Sequence, residues 1–134
     1  MSYLSLEQHI VDRLTAVPGL VVRTTADTSE VALKALGLKP TAVVAFISSD
    51  VVESKSRAIL SDQTWSVYYV RRGAVSERDA VDGEHLEAII RALHGWTPDE
   101  YEYSPMRLQN VATDYRDNAR EYFVTLKSQT TMRL

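Results

Sequence analysis

The strongest strand pattern in the chain is Thr64-Trp65-Ser66-Val67-Tyr68-Tyr69-Val70-Arg71, a run of aromatic and β-branched residues. Such residues pack well on a pleated, half-buried surface and therefore favour strands. Upstream of it, Thr41-Ala42-Val43-Val44-Ala45-Phe46-Ile47 is apolar at successive positions and bounded by Pro and Ser, which is typical of a strand covered on both faces. We expect the two segments to form a hairpin, with residues 41–47 as the spine of the sheet.

The segments that surround this hairpin predict a loop, a further strand and helices. Residues 48–62 are polar and of mixed charge, and they predict a loop. Residues 20–25 are β-branched and predict a short strand directly after a first helix. A capping box from Asp27 to Glu30 predicts a short second helix, which Gly37 closes. The first helix is predicted by a capping box and an apolar stripe, which are formed by Ser5 with Gln8 and by Leu6, Ile10, Leu14 and Val17.

The run Ala92-Leu93-His94-Gly95-Trp96 predicts how the main downstream helix ends. Glycine takes a left-handed conformation at low cost, so Gly95 is expected just after the last helical residue. In a Schellman ending Trp96 then folds back onto the last helical turn, and Pro98 prevents the helix from resuming. The run therefore predicts a fixed position for a tryptophan.

The start of that helix and the end of the chain complete the pattern. Residues 73–83 predict a charged connection, with Asp82 as the N-cap of the helix. Residues 106–111 and 121–127 predict two late strands that form a hairpin around Asp117-Asn118. The apolar stripe of the helix consists of Leu86, Ile89, Ile90 and Leu93.

Bulk composition limits the class of protein. The chain has 134 residues, of which 45% are apolar and 25% charged, so we expect one domain over residues 1–134 with one core. The net charge of -3 argues against a surface that grips nucleic acid, and no sequence-specific nucleic-acid partner is expected. Cysteine is absent, which excludes disulfide and thiolate-zinc frameworks. The longest apolar run, residues 42–47, is far shorter than the ~20 residues that span a bilayer, so no membrane partner is expected.

The order of the predicted elements indicates the fold class. It runs helix, strand, short helix, two strands, helix, two strands, which is not the regular alternation of a doubly wound parallel sheet. We therefore predict an α+β fold, in which a mostly antiparallel sheet carries the two main amphipathic helices on one face.

The sequence carries no motif for phosphate binding or for the common hydrolases. Its five glycines stand at least ten positions apart, so neither G-x-G-x-x-G nor a Walker-type loop is present. The patterns G-x-S-x-G and H-E-x-x-H are also missing. We predict no catalytic residues, no cofactor and no metal.

The three histidines each have a simpler interpretation than metal binding or catalysis. His85 and His94 lie nine residues apart on one helix, which places them on opposite sides, so they do not ligate one metal. Asp82 and His85 are better explained as an N-cap and a solvated side chain than as two metal ligands. His94 is expected to meet the free carbonyls at the helix C-terminus, and His9 is expected on the surface.

Two charged clusters also have simpler interpretations than a functional site. The acidic stretch at residues 99–103 offers carboxylates for acid–base chemistry, although a solvated loop is the favoured interpretation. Arg71 and Arg72, next to Tyr68 and Tyr69, form the only basic and aromatic cluster in the chain. Arginines that face solvent at a strand end are favoured over a nucleic-acid contact.

The layout resembles the small tail-terminator, or tail-completion, proteins of long-tailed phages, in particular the phage Mu-like family. The resemblance spans nearly the whole chain, and its most distinctive segment is Leu93-His94-Gly95-Trp96. The other similar elements are the helix from Leu6 to Val17, the strand Pro40-Thr41-Ala42-Val43-Val44-Ala45 and the aromatic strand Trp65-Ser66-Val67-Tyr68-Tyr69-Val70.

The resemblance implies a role in assembly and no catalytic residues. Such proteins form a ring, typically hexameric, on the head-proximal end of the tail tube, stop its growth and present a surface that joins the head. The implied partners are further copies of the chain, the tail tube protein and a head–tail connector or neck protein. The implied location is the host cytoplasm during assembly and then the virion.

A ring requires contacts between two different faces of each subunit. An exposed edge strand or the loops at 48–62 and 73–82 are natural places for such contacts. Two alternatives stay open: a neck or head-completion protein of the same particle, and a small ligand-binding or enzymatic α+β domain. The residues expected in the interface are Asp50, Glu53, Lys55, Arg57, Arg71 and Arg72.

Overall fold

A computed structural model describes residues 5–24, 39–71, 75–98, 103–116 and 119–134. The predicted short helix at 27–36 lies outside the described residues. In chain order the described elements are α1 (Ser5–Thr15), β1 (Val21–Thr24), β2 (Thr41–Lys55), β3 (Ala58–Arg71), α2 (Val75–Leu93), β4 (Arg107–Arg116) and β5 (Ala119–Arg133).

The five strands form one sheet in the order β1-β2-β3-β5-β4. β1 runs parallel to β2, and the three other pairings are antiparallel, which confirms the predicted α+β class. The spine of the sheet is β3 rather than the predicted 41–47 strand, since β3 is paired on both sides from Ala58 to Val70. β2 is paired on both sides only at residues 41–44, which explains why its apolar run is confined to its beginning.

Both described helices pack on one face of the sheet, as predicted. Leu6, Ile10 and Leu14 follow one another at helical spacing on α1 and are fully buried. Fully burying one such side chain contributes about 1.5–3 kcal/mol. The core that they meet consists of Ile89 and Leu93 from α2 and, from the sheet, Ala42, Val44, Trp65, Val67, Tyr69, Val124 and Leu126.

The prediction of a loop at residues 48–62 is wrong. β2 continues to Lys55, and the two-residue connection at Ser56 and Arg57 leads directly into β3. The Asp, Glu, Lys and Ala residues of this range have a low intrinsic preference for strands, but β3 pairs with β2 on one side and with β5 on the other. The paired backbone therefore overrides the local preference.

The prediction of a charged connection at residues 73–83 is also wrong for the described part of that range. α2 begins at Val75, so Asp82 lies within the helix and is not its N-cap. Asp82 is 1% exposed and has partners in the sheet. A tertiary contact therefore places this carboxylate where the sequence suggests a cap.

The end of α2 confirms the predicted left-handed conformation of Gly95, but the hydrogen bonds there differ from the predicted Schellman pattern. Gly95 has a φ of 79°. The Trp96 N–H donates to the Leu93 carbonyl at 3.1 Å, and the Gly95 N–H donates to the Met106 carbonyl at 2.8 Å, so the Schellman pattern does not form. The Met106 N–H in turn donates to the Trp96 carbonyl at 2.9 Å. The helix end is thus tied to the chain that enters β4.

Side chains from α1 and α2 complete this junction. Trp96 packs against the core, and the Arg13 guanidinium lies 5.4 Å from the centre of its ring. The Arg13 Nε–H also donates to the Ala92 carbonyl at 3.0 Å, so it satisfies a free carbonyl at the end of α2. His94 does not serve that purpose as predicted: its Nδ1 accepts the Leu108 N–H at 3.0 Å.

Two glycines of α2 and its end make a matched test of backbone conformation. An added Cβ meets nothing within 4 Å at either Gly83 or Gly95, so substitution by alanine reports on the backbone alone. We expect Gly95→Ala to destabilise the fold by about 1–2 kcal/mol, because Gly95 is left-handed. Gly83→Ala should stabilise it by about 0.5–1 kcal/mol, because Gly83 is helical. Urea unfolding measures both, and shifts of the same sign would contradict the assignment.

Candidate functional site

The half of the sheet away from β1 forms a three-stranded extension, which we call the distal arm. It consists of residues 48–55 of β2, 58–64 of β3 and 127–133 of β5. Residues 51–57, at its tip, are exposed at every position. The arm carries four of the predicted interface residues, namely Asp50, Glu53, Lys55 and Arg57.

The outer edge of β2 is open along this arm. β1 pairs only with residues 41–44, and no other described strand lies beside residues 45–55. Ile47, Val51 and Val52 are 57%, 61% and 54% exposed there. Ile47 and Val52 are also the extra residues at two register shifts against β3. An open edge with exposed apolar side chains is a template for pairing with another chain.

The charged residues of the arm include a repulsive pair. Asp50 lies directly opposite Asp62 in the β2–β3 ladder, and like charges in such positions are destabilising. Asp62 Oδ1 is buried without a hydrogen-bond partner among the described residues. Glu53 and Lys55 form an ion pair at 3.2 Å, but both are well exposed, so it contributes little to stability. The charges of the arm are therefore not arranged to stabilise the free subunit.

A shallow pocket lies beside the tip of the arm. Its volume is ≈ 180 Å³, which is below the range of about 300–1,000 Å³ that is usual for small-molecule sites. Its charged rim and small size suit a side chain of another protein better than a small ligand. The pocket is lined by Glu53, Lys55, Ala58, Leu60 and Thr131.

The opposite edge of the sheet, formed by β4, is partly covered. At its beginning the Leu108 N–H is bound by His94 at the end of α2. No described strand lies on the outer side of residues 109–116, and Val111 is 41% exposed there. The described sheet thus has two different open edges on its two sides.

Arg71, a further predicted interface residue, points into the protein. Its Nε–H donates to Asp82 Oδ1 at 3.1 Å, and the two side chains are 13% and 1% exposed. The interpretation of Arg71 as a solvent-facing arginine is therefore wrong, and its part in an interface stays a prediction. Arg72 lies outside the described residues.

Tyr69 and His85 complete a buried polar cluster around Asp82. The Tyr69 hydroxyl donates to Asp82 Oδ1 at 2.9 Å and lies 3.0 Å from His85 Nδ1. Because the single phenol proton goes to the carboxylate, the Nδ1–H of His85 donates to the Tyr69 oxygen. Burial and the Asp82 hydrogen bond raise the pKa of Tyr69 above its usual value. His85 is thus a bonded side chain and not the solvated one that was predicted.

This cluster joins α2 to the central strand. Removing one partner of a buried ion pair costs about 3–5 kcal/mol, because the other charge is left buried and unpaired. Arg71 Nη2 and Asp82 Oδ2 have no hydrogen-bond partner among the described residues. The arrangement fixes the helix on the sheet, and we assign it a structural role.

The aromatic residues beside Arg71 do not form one stacking surface. Successive residues of a strand point to opposite faces, so Tyr69 enters the core while Tyr68 lies on the other face. The Tyr68 ring is 4.9 Å from the ring of Phe123. Tyr68 and Tyr69, the two aromatic residues that the sequence places next to Arg71, therefore do not share a face on which bases could stack.

Within the part of the chain that the structure describes, no group of three or more His, Asp or Glu side chains is placed to hold a metal ion. His9 is half-buried and its ring lies 6.4 Å from that of Tyr103, which differs from the predicted surface position. The predicted acidic cluster at residues 99–102 lies outside the described residues. None of the described helices is long and apolar enough to cross a membrane.

Comparison with known proteins shows a shared fold. No family model matches the chain, and no curated protein matches its sequence. Among solved structures, a chain from the virion of a native gene transfer agent (GTA) particle matches with a TM-score of 0.69 and 14% identity. The match covers 98% of this chain and 100% of that chain. The same α+β arrangement is thus found, over its full length, in a chain of a virion particle.

The open β2 edge and the buried cluster were both missed at the level of sequence. The edge had a detectable signal, since Val51, Val52 and the pair Ile59-Leu60 interrupt the polar segment on both sides of a possible two-residue turn. The cluster had none, because Asp82 and Tyr69 are ordinary residues for a cap and a strand. Only the tertiary contact between Asp82 and Tyr69 shows that they join the helix to the sheet.

We expect Tyr69→Phe to remove part of the alkaline unfolding of the protein. The pKa of Tyr69 is raised in the folded state, so its contribution to stability is fully present below the unfolded pKa of about 10 and is lost as the pH rises further. Above that pH the wild-type free energy of unfolding should fall by about 1.4 kcal/mol more per pH unit than that of the variant.

Urea unfolding between about pH 8 and about pH 11 measures these two slopes. At neutral pH the variant should be less stable by about 1–3 kcal/mol, because Asp82 loses a buried donor. Tyr68→Phe, which removes one phenol from the other face of the sheet, is the matched control. Equal slopes for the wild type and Tyr69→Phe would contradict the prediction.

Proposed function

We propose that this protein is a structural component of a phage-like virion and acts there as a tail terminator. In this role, copies of the chain form a ring on the head-proximal end of the tail tube, stop its growth and present the surface that joins the head. Its partners are further copies of itself, the tail tube protein and a head–tail connector or neck protein. The role requires no catalytic residue and no cofactor.

The observation that carries the proposal is the full-length match to a chain of a GTA virion. The match leaves almost no part of either chain uncovered, so the resemblance concerns the entire subunit and not a common substructure. The layout of helices and strands in the sequence, which resembles that of the tail-terminator family, points in the same direction and suggests the finer role.

The surface of the sheet gives independent support for assembly. A cyclic ring with heterologous contacts needs two different and complementary surfaces on each subunit. The described sheet offers an open β2 edge on one side and an open β4 edge on the other. The exposed charges at the tip of the distal arm, from Asp50 to Arg57, are then available to the tail tube or the neck.

The mass and shape of the assembled protein test the proposal directly. We expect light scattering after size-exclusion chromatography to give a mass of about six subunits, and negative-stain images to show a ring with a central opening. Addition of tail tubes should shift the equilibrium towards rings if the free protein is partly monomeric. A strict monomer, alone and with tubes, would contradict the proposal.

The repulsive pair on the arm provides a second test. We expect Asp50→Asn to stabilise the subunit by about 0.2–1 kcal/mol, because it removes the repulsion of Asp62 across the strands. If Asp50 belongs to the interface, the same substitution should change tail length or head joining in a particle-assembly reaction. Unfolding by urea and electron microscopy of particles measure the two effects.

Glu84→Gln is the matched control, since it removes one negative charge from an exposed position on α2. It should leave both stability and particle assembly unchanged. Normal particles assembled from the Asp50→Asn variant would remove Asp50 from the interface.

A further inference from the structure

Among the described residues, 45–55 of β2 and 109–116 of β4 form the longest open edges of this sheet, and they lie on opposite sides. The four-residue β1 is a shorter edge strand on the β2 side. We propose that the β2 edge of the distal arm pairs with the β4 edge of the next copy of this chain, so that the sheets of neighbouring copies join into one. This inference rests on the proposed ring, and it identifies the surfaces that build it.

The directions of the two edges match. β2 runs antiparallel to β3, and β4 runs antiparallel to β5, so β2 and β4 run in opposite directions. Side by side in a ring whose copies all point the same way, they therefore form an antiparallel pair, as most strands in this sheet already do. The open parts are residues 45–55 of β2 and 109–116 of β4.

The exposed apolar residues of the two edges lie on the same face of the sheet. Val51 pairs with Ser61, and Val111 pairs with Val124, and both partners belong to the face that carries the helices. Val51 and Val111 are 61% and 41% exposed. A side-by-side pairing brings them together and buries surface that the free subunit leaves in water.

The end of α2 directs the pairing to the later part of β4. The Leu108 N–H is already bound to His94 Nδ1, and the preceding Met106 N–H is bound to the Trp96 carbonyl. Among the described residues, the part of the β4 edge that has no strand beside it and no bond to the end of α2 therefore begins at residue 109. This arrangement protects one end of an edge strand and leaves the other available.

The stagger of the two edges has the geometry of a closed barrel. Val51 pairs with Ser61, which pairs with Thr130 of β5, so Val51 and Thr130 lie at the same position along the strand direction. Val111 pairs with Val124 of β5, which is six residues away from Thr130. Pairing Val51 with Val111 thus displaces neighbouring copies by about 20 Å along the strands. The width over which this happens is about 19 Å, because each copy adds the four strands β2, β3, β5 and β4 to the joined sheet. The strands then tilt by about 46° from the ring axis, close to the upper end of the 35–45° typical of closed barrels.

Disulfide scanning tests this pairing without interference from native thiols, because the chain contains no cysteine. Val51 or Ser54 is replaced by cysteine together with Val111 or Thr113, which gives four double variants. All four positions are exposed and lie on the helix-bearing face. We expect mild oxidation of at least one double variant to give a ladder of linked subunits on a denaturing gel, while each single variant stays at the mass of one subunit.

The outcomes separate this inference from the proposed function. Rings without a ladder in any double variant would overturn the edge pairing and leave the ring standing. A linked dimer from the Val51→Cys variant alone would overturn it as well, since two arms would then pair with each other. Ladders from open chains without closed rings would support the pairing and overturn the ring. Monomers without ladders would overturn both.

An uncrosslinked variant gives an independent readout. We expect Val51→Lys to weaken self-association by about tenfold or more in sedimentation velocity, because a charge on an open edge opposes pairing. Gln8→Lys adds the same charge at an exposed position of α1, which is not on a strand edge, and should leave self-association unchanged. Equal effects of the two substitutions would overturn the assignment of the β2 edge.

Discussion

The pairing of β3 with a strand on each side, from Ala58 to Val70, is the constraint on which the rest of the structure depends. In its second half this strand carries Trp65, Val67 and Tyr69 into the core. In its first half the same hydrogen-bonded ladder continues into the distal arm, where the tip is exposed. Because the backbone of a central strand is satisfied on both sides, the strand stays extended where its side chains alone do not favour it. One strand therefore builds both the core and the projecting surface.

The second helix connects that core to the edges of the sheet. Asp82 of α2 binds Tyr69 and Arg71 of β3, which fixes the helix on the sheet at its middle. At its end, Gly95 and Trp96 exchange backbone hydrogen bonds with Met106, so the helix also determines where β4 begins. The same junction covers the first residues of the β4 edge and leaves the later ones open. The position of one helix thus decides which part of an edge strand is available to a partner.

The features that do not serve the stability of a free subunit are concentrated on the distal arm and the β4 edge. Asp50 opposes Asp62, and valines are exposed on both edges. Conflicts of this kind are expected where a protein retains residues for function and not for its own stability. Their location on two open and differently shaped edges supports assembly by heterologous contacts. The fold shared with a chain of a GTA virion is consistent with such a role.

The sequence by itself determined the α+β class, the first helix, the strand at Thr64 to Arg71 and the left-handed glycine after α2, because these follow from local periodicity and backbone preference. It did not determine that residues 48–62 form a hairpin, that Asp82 is buried within a helix, or that β3 is the central strand. Those features arise from contacts between segments that are distant in the chain, and only the tertiary structure brings them together. The open edges also depend on the tertiary structure, since a strand is an edge strand only when no other strand pairs with it on one side.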